Sequence, residues 1–455
     1  LSIMIYLILL INCVYSIEFN ILNKSIPVEI SGENIEQPFF GGFNQPRIQW
    51  LDFDNDGDTD LFIEDEDNHL RYYNNQGTEY EPDFYLITTS FQDIPLGNWF
   101  YFGDFDFDND KDLMTQNINV SFGSYTGISL YQNNNNIFSL LTDSILTNEM
   151  DPVYSESVST PTFSDIDNDG DLDFFSGNSS NGSVTYYENV GLYNDAPIFD
   201  YITNYWQDIS IMGGLNTGEA NRHGASAITF IDLDTDGDLD LSWGDFFQQS
   251  LYIIWNIGDI NIPIMDIDNI LLEYPEDMPI ETAGQNMPTF ADLDGDEDMD
   301  LFVTVLFGAY GTQYNNNFIF YENIGDQDDP EFNYITSDFL GTLDFLTDAV
   351  PDFSDIDNDG DLEMFIGTEV DYSIFPYKGR IKYFENIGTA NNPIWELIDP
   401  YFLGTDIGTN LTPVLIDIDA DNDQDIFIGE WNGRIKFYEN SGNPESFDFN
   451  FYGNL

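Results

Sequence analysis

The sequence predicts an all-β fold, a seven-bladed β-propeller with four-stranded blades, and three observations predict it. An acidic stretch of nine residues recurs seven times, beginning at Asp52, Asp104, Asp165, Asp232, Asp292, Asp355 and Asp417, at intervals of 52, 61, 67, 60, 63 and 62 residues. Self-similarity at a near-fixed period marks a repeat architecture. Each recurrence is flanked by short β-branched and aromatic runs bounded by Gly, Asn and Pro, which read as strands, and no unit shows a sustained helical period. Four such runs in a unit of about 60 residues, repeated around a ring, is the arithmetic of a propeller. An open solenoid would use shorter units and capped ends.

Composition agrees with a packed β-protein. Of 455 residues, 42% are apolar and 16% aromatic, enough for a substantial core despite a formal charge of −74. The alternating positions of the seven acidic stretches hold 35 of the 84 acidic residues, so the charge is concentrated. Ten basic residues cannot build a phosphate-binding surface, which excludes nucleic acid as a partner. The single cysteine, Cys13, excludes a disulfide framework. It lies in an apolar run, Leu1 to Ile11, followed by Val14-Tyr15-Ser16, which has the character of a signal-peptidase site. Residues 1–16 are therefore expected to be a secretory signal peptide lacking an initiator methionine, and 17–455 the propeller, secreted or at the cell surface. No other segment is long and apolar enough to span a bilayer, so membrane contact would require a further anchor.

Within each unit the first strand leads into the acidic stretch, as in Pro161-Thr162-Phe163 and Pro288-Thr289-Phe290. The second follows it, as in Leu61-Phe62-Ile63 and Ile426-Phe427-Ile428. The third ends in an aromatic-Glu-Asn-x-Gly turn, seen at Tyr187 to Gly191, Tyr321 to Gly325, Phe384 to Gly388 and Tyr438 to Gly442. The Asn there is expected to close its own turn, and the aromatic to pack between blades. The fourth opens after proline or a turn, as at Pro197 and Pro330. Two stretches compete to be the outer strand of the closing blade, Ile17 to Ile21 and Ser446 to Phe451, and the sequence leaves both open.

The acidic stretches carry the chemistry. The third reads Asp-Ile-Asp-Asn-Asp-Gly-Asp-Leu-Asp, with Asp165, Asp167, Asp169, Asp171 and Asp173 in the odd places and Gly170 sixth. Oxygen donors at this density suit a hard cation such as Ca²⁺, which takes about 6–8 of them. Glycine supplies the tight curl, because it enters positive φ without a Cβ penalty. The first, third and fifth carboxylates, the seventh backbone carbonyl and the ninth carboxylate are expected to complete the shell. The candidate residues in the other loops are Asp52, Asp54, Asp56, Asp58 and Asp60; Asp104, Asp106, Asp108, Asp110 and Asp112; Asp232, Asp234, Asp236, Asp238 and Asp240; Asp292, Asp294, Asp296, Asp298 and Asp300; Asp355, Asp357, Asp359, Asp361 and Glu363; Asp417, Asp419, Asp421, Asp423 and Asp425. Gly57, Gly237 and Gly360 repeat the turn glycine, whereas Asn109 and Asn422 replace it with a residue that tolerates the left-handed region. The fifth loop has Gly295 early and Glu297 at the turn, so its geometry departs most. Up to seven structural calcium ions are expected.

Asp-x-Asp-x-Asp-Gly-Asp-x-Asp before an apolar strand, once per blade, resembles the FG-GAP/VCBS repeats of bacterial secreted proteins, with the integrin α-subunit head a distant relative. The resemblance covers about residues 40–450 and implies a seven-bladed propeller with calcium in the loop joining first and second strands, all on one face. It fixes no ligand. An EF-hand is excluded, because position twelve is Ile63, Ser176 or Ile366 rather than a carboxylate, and the flanks are strands.

Catalytic groups are scarce: two histidines, His69 and His223, no Gly-x-Ser-x-Gly elbow and no phosphate loop. Lys111, inside the second loop, reads as a solvated side chain. Variable segments are the better binding candidates: 204–226 with Tyr205-Trp206 and Asn221-Arg222-His223, and insertions at 117–126, 307–317 and 370–378. The expectation is a monomeric, non-catalytic binding or adhesion module for an extracellular protein or glycan. The alternatives are a polysaccharide lyase or hydrolase, which needs His, Arg, Tyr and carboxylate clustered on the open face, a lectin, or a passive spacer.

Overall fold

A computed structural model describes residues 26–455 apart from 79, 212–225, 297, 312, 326–329, 346–347 and 372–374. The signal-peptide expectation for 1–16, the strand at 17–21 and the Asn221-Arg222-His223 cluster lie outside the described residues.

Seven antiparallel sheets follow one another along the chain, one per acidic loop. The first comprises Arg47–Leu51, Asp60–Glu64, Leu70–Asn75 and Phe84–Thr88. Equivalent four-strand sequences begin at Phe100–Gly103, Thr162–Ser164, Asn286–Ala291, Val350–Ser354 and Thr412–Ile416. The fourth sheet has three strands, Ser226–Ile231, Asp240–Asp245 and Tyr252–Ile254, and an irregular chain fills its outer edge through bridges from Ile253 to Leu271 and Asn256 to Met265. The described residues hold no α-helix, only short 3-10 turns at Phe91–Asp93 and Trp206–Asp208. An all-β, propeller-like architecture is therefore what the chain adopts.

The sheets pack through alternation. On the second strand of the first sheet, Phe62 faces the second sheet while Leu61 and Ile63 face the other way. Continuous clusters join sheets one to two, two to three, three to four and four to five. The next cluster joins the fifth sheet to the first, combining Phe302 and Phe318 with Ile48, Leu61 and Ile63. Trp50 fills this seam: its ring lies 4.6 Å from Phe302 and 5.8 Å from Phe84 and Phe339, and Nε1 donates to Thr289 Oγ1 at 3.3 Å.

Five sheets thus form the ring, which corrects the expected ring of seven. The sixth and seventh stack on one another, Phe365 and Phe402 against Ile426 and Ile428. The far face of the sixth is covered by Val28, Ile26 and Ile30 of the N-terminal segment. The reason is that a repeat period counts sheets without specifying which covers which. All second strands except the fourth carry a bulky apolar residue two places after the loop (Phe62, Met114, Phe175, Phe302, Phe365, Phe427), so the first sheet can receive the fifth as well as the seventh. Phe427 is the only one of these that is not buried.

Of the two candidate outer strands, only the C-terminal one lies among the described residues. Phe449–Asn454 is the outer strand of the seventh sheet, as one alternative held. The described N-terminal strand, Val28–Ile30, instead runs parallel to Trp395–Phe402 on the sixth. From there the chain crosses to the ring, where Gln37 Nε2 donates to Phe84 O at 2.8 Å and the Gln37 amide donates to Gly341 O at 2.8 Å.

Two expected binding loops are also corrected. Residues 117–126 are a continuation of a long hairpin, Asp112–Phe122 with Tyr125–Asn133. Trp206 is 5% exposed and packs edge-on to Phe175 at 5.1 Å and to Phe230 at 5.6 Å, so it belongs to the core between third and fourth sheets; Tyr205 alone stays exposed.

Candidate metal centres in the acidic loops

Each loop is clamped by the same ladder pair. The residue before the first aspartate faces the ninth position in all seven sheets: Leu51 with Asp60, Gly103 with Asp112, Ser164 with Asp173, Ile231 with Asp240, Ala291 with Asp300, Ser354 with Glu363 and Ile416 with Asp425. The eight residues between must therefore reverse in a fixed space.

They do so with two left-handed residues. Position six is left-handed as expected, at φ 96–101° in Gly57, Gly170, Gly237 and Gly360, and at 70° and 75° in Asn109 and Asn422. Position four is left-handed in all seven loops, at Asn55, Phe107, Asn168, Thr235, Gly295, Asn358 and Ala420, which sequence reasoning missed. The early Gly295 of the fifth loop fits this second requirement, and Glu297 lies outside the described residues. The curl brings the position-six amide onto the first carboxylate: Asn109 to Asp104, Gly170 to Asp165, Gly237 to Asp232 and Asn422 to Asp417 at 3.1 Å, and Gly360 to Asp355 at 3.2 Å.

The first three carboxylates converge. In the first five loops, one oxygen from each of positions one, three and five lies within 4.8 Å of the others. Position seven turns its side chain inward as well. Asp58, Asp110, Asp171, Asp238, Asp298 and Asp361 each bury Oδ1 without a hydrogen-bond partner. Asp238, Asp298 and Asp361 are only 4%, 7% and 8% exposed. A buried carboxylate oxygen without a donor is costly unless a cation meets it. Position seven thus offers a side chain where only its carbonyl was expected.

Position nine has a different task. Asp60 Oδ1 accepts the Asn75 amide at 2.8 Å and its Oδ2 accepts the Tyr72 hydroxyl at 2.9 Å. Asp173 repeats this with the Asn189 amide at 2.7 Å and the Tyr186 hydroxyl at 2.9 Å. Asp112, Asp240, Asp300 and Asp425 accept the amides of Asn133, Asn256, Asn323 and Asn440 at 2.7–2.9 Å. The ninth carboxylate therefore staples the loop to the third strand and holds its own oxygens in place. In the sixth loop Glu363 accepts the Ile356 amide at 2.9 Å, as Asp60 and Asp240 accept the equivalent amides of Phe53 and Leu233.

The same asparagines close their turns, as expected: Asn189 Oδ1 accepts the Gly191 amide at 3.1 Å, and Asn440 Oδ1 accepts the amides of Gly442 at 3.1 Å and Asp448 at 2.8 Å.

The electrostatics show the crowding. Burial, then the neighbouring Asp236 carboxylate, pushes Asp238 up to about 6, and burial with Asp169 pushes Asp171 up to about 7. Burial raises Asp173 to about 8 and Asp300 to about 7, against the hydrogen bonds from Asn189 and Asn323. Sequence reasoning also missed Glu188 and Glu385 of the aromatic-Glu-Asn turns. Glu188 adds to the upward push on Asp171, and Glu385 is itself raised by burial and then by Asp357, Asp359 and Asp361. Both stand against their loops; the signal was their constant offset from the ninth position's Asn partner.

The hairpin that ends the second strand lies at the opposite end of the sheet from the acidic loop, because antiparallel connections alternate ends. In the first sheet it carries Asp67, His69 and Arg71 together. Arg71 binds Asp67 through two contacts, 2.7 and 3.2 Å, and His69 Nδ1 lies 2.9 Å from the Asp67 carbonyl. Behind them the buried Glu64 meets Arg47 at 3.2 Å, and burial pushes its carboxyl up to about 8. This is the one described place with imidazole, guanidinium and carboxylate together; the expectation had assigned that combination to 204–226, whose histidine lies outside the described residues.

No family model matches the sequence, and no curated protein matches it. Among solved structures, the chain is similar to a candidate 6-phosphogluconolactonase of Bacteroides uniformis, at 10% identity and a TM-score of 0.30 over 90% of this chain and 96% of that one. It is also similar to the periplasmic gluconolactonase of Pseudomonas aeruginosa (8% identity, TM-score 0.31, 90% and 96% covered). A third is an exo-type rhamnogalacturonan lyase (11% identity, TM-score 0.26, 90% and 88% covered). These neighbours are described as enzymes, against the expectation of a non-catalytic adhesion module; at these scores they carry no argument about the activity or the substrate of this chain.

Proposed function

We propose that the seven loops are calcium sites and that the protein is a calcium-dependent, carbohydrate-acting enzyme of the hydrolase or lyase type, working outside the cytoplasm. The observation that carries the calcium reading is the buried, partnerless oxygen at position seven, repeated in six loops beside three converging carboxylates. Ca²⁺ fits this donor set, being hard, oxygen-loving and tolerant of irregular geometry. The loop pattern that resembles FG-GAP/VCBS repeats supports the same choice. When bound, the ion offsets the repulsion among carboxylates and fixes the turn between first and second strands.

The catalytic half rests on the first hairpin. With Nδ1–H donated to the Asp67 carbonyl, His69 keeps its Nε2 lone pair, and its side chain is 57% exposed. An oriented, accessible imidazole can take a proton from water or from a carbon beside a sugar carboxylate. Arg71, paired with Asp67 at 2.7 Å, is the cation beside this imidazole that a substrate carboxylate or oxyanion could approach. The test is turnover of a panel of uronate polysaccharides and sugar lactones by calcium-loaded protein. His69→Ala is expected to lower the rate by about 100-fold or more with an unchanged melting temperature. Equal rates for the variant, or no turnover across the panel, would exclude the assignment.

A further inference from the structure

A cavity of about 310 Å³ opens between the N-terminal segment, the fifth sheet and the sixth sheet. It is lined by Lys382, Phe345, Leu397, Asn315, Asn316 and Ser337, among others. Lys382 belongs to Ile381–Asn386, and its ammonium lies 5.1 Å from the centre of the Phe345 ring. Among the described residues Lys382 Nζ makes no hydrogen bond or ion pair. Among the described cations Lys111, Lys378 and Arg434 also have no ion pair, and of these four Lys382 is the one that lines the cavity. Arg47, Arg71, Arg380 and Lys436 all sit within ion-pair distance of an acid, at 3.2, 2.7, 3.6 and 3.9 Å. Two acids do line the cavity, Asp338 and Asp344, but neither pairs with Lys382. Asp338 instead accepts the Thr342 amide at 3.0 Å and its hydroxyl at 3.3 Å.

We propose that this cavity binds a single-ring sugar acid, with Lys382 taking the carboxylate. One ammonium without a second cation suits a monocarboxylate better than a phosphate, which usually collects several donors. Asn315, Asn316 and Ser337 supply donors and acceptors for ring hydroxyls, and Phe345 and Leu397 supply an apolar wall for the ring. The volume lies at the small end of ligand pockets, which suits one ring and not an oligosaccharide. Burial, aided by Arg380 and opposed by Asp371, lowers the lysine's pKa, so a bound carboxylate would also restore its charge. The proposal does not depend on the first-sheet hairpin being catalytic.

The experiment is calorimetric titration of calcium-loaded protein with D-galacturonate and, separately, with neutral D-galactose. Galacturonate is expected to bind at least tenfold more tightly than galactose, and Lys382→Met to weaken it at least tenfold. Methionine keeps the apolar stem and removes an ammonium whose described contact is the face of the Phe345 ring, so the variant is expected to fold. As a readout that needs no variant, acetylation of Lys382 in the wild-type protein, followed by mass spectrometry, is expected to slow when galacturonate is saturating. Equal affinity for the two sugars, no binding at millimolar galacturonate, unchanged binding by Lys382→Met, or no protection of the amine would each overturn the proposal.

Discussion

Removing calcium with excess EDTA is expected to lower the melting temperature by more than about 10 °C, and adding calcium back in excess to restore it. A site saturated at about a hundredfold over its dissociation constant adds about 2.7 kcal/mol to a folded state that alone binds the ion. Seven sites would add several times that, even with losses to non-additivity. The apo protein also leaves five carboxylates crowded into each nine-residue loop without a cation between them. Magnesium should restore less of the stability, since it demands a tighter octahedral shell and holds its waters. Differential scanning calorimetry with and without EDTA reads the effect directly. A transition that does not move would mean that the loops are acidic turns supported by hydrogen bonds alone.

Trp50→Ala is expected to destabilise the protein by about 2–3 kcal/mol, below the range for a fully buried aromatic because Trp50 is only partly buried. The argument is local to the seam between first and fifth sheets, where Trp50 contacts Phe84, Phe302, Phe318 and Phe339 and donates to Thr289. Stability alone would not identify the neighbour, so the informative measurement is a double-mutant cycle in urea. Trp50→Phe and Phe302→Leu should couple by more than about 0.5 kcal/mol, because their rings touch. Coupling of Trp50 to Phe427 with none to Phe302 would show that the seventh sheet, and not the fifth, covers the first.

Much of this structure was legible in the chain. The loops, their flanking strands and the turn asparagines follow from short-range rules, because each feature is decided within about ten residues. The ladder pair at every loop is an example: Leu51 faces Asp60 and Ile416 faces Asp425 without reference to anything distant. Ring closure is another kind of question. It depends on which apolar face meets which, and the faces around Phe62, Phe302, Phe365 and Phe427 are chemically alike. Trp206 was misplaced for a related reason. An aromatic in a long connection reads as available, yet a 3-10 turn folds it back between Phe175 and Phe230.

Within the site, the converging aspartates were readable and their division of labour was not. Five alternating acids look equivalent in sequence. Only the fold separates the ninth, bonded to the third strand's Asn amide in six loops, from the seventh, whose oxygen is buried without a partner in six. The left-handed fourth position was hidden because Asn, Phe, Thr, Ala and Gly all occupy it, so no single residue type marks the requirement. The lone ammonium of Lys382 was equally invisible, since its cavity is assembled from segments far apart in the chain.

The central claim is that each acidic loop holds one calcium ion, and the most direct test is to count them. Protein dialysed to equilibrium against buffered millimolar calcium should retain about seven ions per chain by elemental analysis, one for each acidic loop. Asp238→Ala should remove one of these and leave the remainder. Retention of none, or a count unchanged by Asp238→Ala, would contradict the account.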